Sequence, residues 1–142
     1  MSYATQADLV ERFDQNQLLE LADRDGDSIL DTDVVSRALA DADAEIDVWI
    51  GKVHDLPLPS VPPRLVTVAC DIAFYRLHPA APSPDARQRY EDAIAFLRAV
   101  AEGRAVLDAG GSPPPPAGDG VSHSAPDRVF TRDRLDAFEG FR

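Results

Sequence analysis

Apolar residues recur at spacings of three and four through the first hundred positions of this 142-residue chain, and polar or proline-rich intervals interrupt them. That rhythm predicts an all-α protein, because no alternating, strand-like segment runs longer than a few residues. Thr5 followed by Asp8 has the form of a helix N-cap with an acid in the first turn, and Leu9, Val10, Phe13, Leu18, Leu19 and Leu21 supply the apolar positions behind it. Gln15-Asn16 is expected to divide this stretch into two short helices. Asp23 to Asp31 reads as a loop. Val35, Ala38, Leu39, Ala42, Ile46, Trp49, Ile50 and Val53 then mark an amphipathic helix, with Gly51 near its end.

Prolines punctuate the next fifty residues. Asp55-Leu-Pro-Leu-Pro-Ser-Val-Pro-Pro63 cannot be helical, since proline lacks the amide proton and biases the residue before it to extended geometry. Pro62 or Pro63 suits the first turn of a further helix, in which Leu65, Val66, Val68, Ala69, Ile72, Ala73 and Leu77 leave almost no polar side. That is the expected central helix. Ser83 and Pro84 have the form of an N-cap and first residue for a last helix, striped by Tyr90, Ala93, Ile94, Leu97, Val100 and Ala101 and ended by Gly103. The expected architecture is a helical domain of four to five helices over residues 1–108, a Pro/Gly-rich spacer over 109–126 and an extended arm over 127–142. The spacer could span on the order of 30 Å where it is extended.

The arm is too short to fold alone. Val129, Phe130, Leu135 and Phe138 stand among charges as candidate anchors, with Arg128, Arg132 and Arg134 supplying polar register and Thr131 lying between them. Residues 128–132 suit addition as a short strand to a partner, with Val129 and Thr131 facing one way and Phe130 the other.

Charge sharpens this division. The formal net charge is -11. Residues 1–50 carry acids against only Arg12, Arg24 and Arg37, whereas residues 51–108 and the arm are each balanced. An acidic half does not grip phosphate; it suits a basic partner, or DNA that must pass without sticking. No apolar run reaches membrane length, and the first residues lack a signal-peptide pattern, so a cytoplasmic site of synthesis is expected.

Candidate chemistry is sparse. Asp23, Asp25, Asp27 and Asp31 fall at the first, third, fifth and ninth places of a calcium-loop spacing, although Ser28 replaces its glycine and Val34 its bidentate glutamate. The rival is a polar turn in which Gly26 bends the chain and Asp31 or Thr32 caps the next helix. His54, His78 and His123 have no second ligand at a useful spacing and are expected at the surface, while Cys70 sits among apolar residues as a small hydrophobe. Asp71 is expected at a partly exposed edge or paired with Arg64 or Arg76. Trp49, Phe74 and Tyr75 are expected to pack rather than to bind a ligand. Nothing resembles a nucleophile elbow, a phosphate-binding loop or a zinc pair, so an enzyme is not expected, nor any required cofactor beyond the Ca²⁺ alternative.

One ordered series of segments goes further: Tyr3-Ala-Thr, Ala7-Asp-Leu-Val, Asp23-Arg-Asp-Gly-Asp, Ala40-Asp-Ala-Asp-Ala-Glu-Ile-Asp47, Leu56-Pro-Leu-Pro, Pro62-Pro-Arg-Leu, Ala69-Cys-Asp-Ile-Ala, Arg89-Tyr-Glu-Asp-Ala and Arg128-Val-Phe-Thr-Arg-Asp. Together they resemble the Mu-like bacteriophage and prophage neck proteins, a family of head-completion or head-tail connector adaptors. The resemblance covers about residues 3–107 and the arm. It implies a virion protein, made in the host cytoplasm, that forms a ring of neighbouring copies, commonly a dodecamer, beneath the portal protein. Its partners would be the portal, its own copies and a tail-side neck or tail-terminator protein, and packaged DNA would pass through without specific binding. Two rivals remain: a Ca²⁺-responsive helical interaction module and a cellular interaction protein with a tethered arm.

Overall fold

The computed structural model describes residues 1–108, and these form five helices with no strand among them. The described domain is all-α, as its periodicity requires. Helix α1 spans Gln6–Phe13 and opens with a reciprocal capping box: the Thr5 hydroxyl accepts the Asp8 amide at 3.3 Å, and the Asp8 carboxylate accepts the Thr5 amide at 2.7 Å. Helix α2, Gln15–Ala22, follows after a break at Asp14, one residue earlier than expected. Asp14 has φ +66° and ψ 141°, outside the helical region, so the chain turns there rather than at Gln15-Asn16.

Helix α3, Thr32–Ile50, carries Val35, Ala38, Leu39, Ala42, Ile46 and Ile50 into the core. Val53 does not belong to it. The helix stops at Ile50, the amides of Val53 and His54 fold back on the Ile50 carbonyl, and Val53 is exposed. Helix α4, Pro63–Leu77, starts with proline in its first turn and buries nine residues, from Leu65 to Leu77, against α3, α5 and α1. Helix α5, Pro84–Ala101, is capped by Ser83, whose hydroxyl accepts the Ala86 amide at 3.2 Å. Its far end closes on Gly103 at φ +72°: the Gly103 amide reaches the Val100 carbonyl at 3.0 Å and the Arg104 amide reaches that of Ala99 at 2.8 Å, a Schellman ending that needs a left-handed residue.

Phe74 lies at the centre, 1 % exposed, with its ring stacked on Phe13 at 4.0 Å between centroids. Burying each such side chain contributes roughly 1.5–3 kcal/mol. The aromatic pair fixes α1 on α4. The long helices α3 and α5 both pack on α4 and on each other, and Arg98 near the end of α5 reaches Trp49 at the end of α3, so both helices finish at the same end of the domain. That end also holds the start of α4 and the connector 51–62; the loop 23–31 lies at the opposite end, ahead of α3.

Candidate functional site

The loop between α2 and α3 is the described segment richest in candidate ligands. Carboxylate oxygens of Asp23, Asp25 and Asp27 lie within 4.8 Å of one another. The same oxygens hold the loop together. Asp23 accepts the Gly26 amide at 2.7 Å and the Ser28 amide at 2.9 Å, and Asp27 accepts the Ile29 amide at 2.8 Å. Ser28 takes φ +64°, so the turn that glycine would make at this place is made by serine, braced by Asp23.

Asp31, the fourth expected ligand, does not join the cluster; it accepts the Arg24 amide at 3.0 Å and closes the loop at its base. The Val34 side chain contributes no oxygen at the twelfth place, and three carboxylates giving one oxygen each supply only part of the six to eight oxygens that Ca²⁺ takes. The acids respond to one another. For Asp23 desolvation pushes upward, but the amides of Gly26 and Ser28, joined by bonds from Asp25 and Asp27, together outweigh it and hold its carboxyl below the usual value. For Asp25 the Asp27 amide favours the charge, but desolvation and the nearby Asp27 and Asp31 carboxylates win and push it up.

Elsewhere the structure pairs charges that the sequence left unassigned. Asp71, 8 % exposed in the middle of α4, receives Arg12 from α1 through two bonds of 2.9 and 3.1 Å. Arg64 and Arg76 are not its partners. Arg64 stacks on Phe96 at 4.9 Å, and Arg76 donates to Glu45 at 2.9 Å, which also accepts the Tyr90 hydroxyl at 2.7 Å. Arg12 and Arg89 flank the Phe13 ring at 5.5 and 5.6 Å, so the ion pair and the aromatic stack form one seam between α1, α4 and α5.

Tyr3 ties the N-terminal segment to α3. Its amide donates to Asp43 at 2.9 Å and its hydroxyl to Asp47. Burial, and then the bond to Asp47, raise the Tyr3 phenol, while desolvation raises Asp43 despite the Tyr3 amide. The acidic half is therefore not uniformly available: Asp43, Glu45 and Asp47 are engaged between elements and Asp8 is held in the α1 cap, whereas Glu11, Asp14, Glu20, Asp25, Asp27, Asp33 and Asp41 are exposed.

Cys70 is buried, as expected, and desolvation pushes its thiol up to about 12. Two histidines depart from expectation. His54 and His78 are half-buried rather than at the surface, and His78 lies edge-on to Phe74 at 5.1 Å with Nδ1 2.9 Å from the Phe74 carbonyl oxygen. His123 and the arm residues Arg128, Val129, Phe130, Thr131, Arg132, Arg134, Leu135 and Phe138 lie outside the described residues, as do the spacer 109–126 and the rest of the arm. No helix among the described residues is long and apolar enough to cross a membrane.

Comparison with known proteins gives the chain its context. Residues 3–124 match the family model described as Bacteriophage Mu, Gp36. The chain is 39% identical over 101 residues to the Mu-like prophage FluMu protein gp36 of Haemophilus influenzae, covering 71% of this chain and 72% of that protein. It is 33% identical over 105 residues to Gene product J of Escherichia phage Mu, covering 73% and 74% respectively.

Proposed function

The chain belongs to the Bacteriophage Mu, Gp36 family, and from that premise we propose that it is a structural virion protein, a head-tail connector adaptor in the neck of a Mu-like phage. The family match across residues 3–124 is the observation that carries this reading. In it, the domain assembles with neighbouring copies, a dodecamer being the expected ring, beneath the portal protein. A tail-side neck or tail-terminator protein meets the other face. DNA traverses the ring without being gripped, in keeping with the acid surplus of residues 1–50. The segment 127–142 serves as a docking arm on the portal or on a neighbouring copy, and repetition of the arm around a closed ring multiplies its effect through effective concentration.

Electron cryomicroscopy of phage particles tests the proposal. The expected result is a ring of this protein between capsid and tail, with residues 127–142 running into another chain. A protein missing from purified particles defeats it. Deleting residues 121–142 is expected to leave a folded domain that no longer joins the neck.

The convergence of Asp23, Asp25 and Asp27 within 4.8 Å favours a second reading, a Ca²⁺-responsive helical module. Three carboxylates, two of them exposed, make a weak site, at best in the millimolar range of loosely held Ca²⁺ modules. Calorimetry with Ca²⁺ at that concentration decides: heat of binding that vanishes in Asp23→Asn supports it, and no heat removes it.

A further inference from the structure

The exposed large apolar residues of the described chain are distributed very unevenly. Val48, Val53, Leu56 and Val106 all lie at the end where α3 and α5 finish, with Val48 64 % and Val106 67 % exposed. Leu56 folds against the end of α3: a Cβ at Gly51 would stand 3.3 Å from Leu56 Cδ1. Met1, also exposed, joins this end through Leu58, whose amide donates to the Met1 sulfur at 3.2 Å. Beneath them lies half-buried Trp49, with Lys52 Nζ 4.4 Å and the Arg98 guanidinium 5.9 Å from its ring. Lys52, Arg64 and Arg98 are exposed here, against the exposed acids Asp55 and Asp108, while Arg104 is paired with Glu102. This foot of the domain is apolar, with a surplus of one positive charge.

The remaining exposed large apolar residue is Ile29, at 66 %, and it sits at the other end. It projects from the loop that carries Asp23, Asp25 and Asp27 before it and Asp31 and Asp33 after it. The loop's one base, Arg24, lines a separate notch with Arg37, Asp41 and Arg76 beside α3. The head is thus acidic with a single apolar knob, roughly 28 Å from the foot by the length of the 19-residue α3.

We propose that the acidic head of one copy, led by Ile29, seats on the basic apolar foot of a second copy around Trp49, Lys52, Val53 and Arg98. The surplus charges are opposite at the two ends, so carboxylates meet cations, and an aliphatic knob meets an aliphatic and aromatic floor. Two different patches make the contact, so it is heterologous, and repetition closes a ring when the rotation permits. The inference rests on the reading that copies of this chain assemble with one another, and it names the surfaces that do so.

Directional cross-linking of the full-length protein tests it. Ile29→Cys and Val53→Cys are exposed positions, made in separate chains carrying distinguishable tags, mixed and oxidised; native Cys70 is buried and serves as the silent background. The expected product is the mixed dimer, in roughly five-fold excess over either homodimer, and a chain bearing both cysteines forms a ladder. The excess should disappear in about 0.5 M salt and when Lys52→Glu and Arg98→Glu are added to the Val53→Cys chain. Random cross-linking, or preference for the Ile29–Ile29 homodimer, overturns the contact. The two proposals fail separately: random cross-linking with the protein still present in the neck defeats this contact alone, whereas a mixed dimer from a protein absent from particles defeats only the adaptor reading.

Discussion

Asp71 and Asp23 carry the same carboxylate into opposite surroundings. Asp71 lies on the most buried helix and is matched by a guanidinium from another helix; Asp23 lies in an exposed loop and is matched by two amides of its own loop. The interior acid welds elements distant in sequence. The loop acid shapes its own short segment and leaves the charge there available to the outside. Burial decides the difference, because a desolvated charge is costly unless its partner is fixed in place, whereas an exposed charge needs only local geometry.

Substitutions probe this contrast directly. The largest effect is expected where the seam meets the core: Phe74→Ala removes the ring stacked on Phe13 and should cost about 4 kcal/mol in chemical denaturation. Asp71→Ala comes next, at about 2 kcal/mol, because Arg12 is left without its partner but retains some access to water. Replacing both, as Arg12→Met with Asp71→Leu, should return stability to within about 1 kcal/mol of the parent. A double variant no better than the single one would mean that the pair does more than neutralise itself.

Cys70 reports on the same seam. With its thiol pushed up to about 12 and buried, a thiol reagent near neutral pH should label it only as the domain opens, and Asp71→Ala should speed that labelling several-fold. Rapid labelling of the native protein would show that α1 and α4 part easily.

The smallest effect is expected in the loop. Asp23→Asn should leave the unfolding midpoint at neutral pH less changed than Asp71→Ala does, while amide exchange at Gly26 and Ser28 quickens. The direction with pH comes from the depressed carboxyl. Its contribution is present above the ordinary aspartate value of about 4 and is lost as pH falls through the lower folded value, so the variant should flatten the acid limb of the stability profile. An Asp23→Asn variant as damaging as Asp71→Ala would erase the distinction between the two regions.

Much of this was legible in one dimension. Periodicity and proline placement located the helices, since a helix face and a missing amide are properties of a few neighbouring residues. Thr5 with Asp8, Ser83 with Pro84 and Gly103 announced their caps for the same reason. The calcium-like spacing was equally visible, yet it could not tell that Asp31 turns to the Arg24 amide, because the path of the loop backbone chooses among acceptors.

The helical class, the buried character of α4 and Cys70, and the acid surplus of the first fifty residues were all contained in the order of the amino acids, because each depends on local pattern or on counting. It took the packed fold to settle that Arg12 rather than Arg64 or Arg76 answers Asp71, that Tyr3 bonds Asp43 and Asp47, and that the exposed large apolar residues other than Ile29 gather opposite the acidic loop. Those outcomes depend on which helices meet and at which end. Long-range packing sets that, bringing together residues as far apart as the 59 positions that separate Arg12 from Asp71.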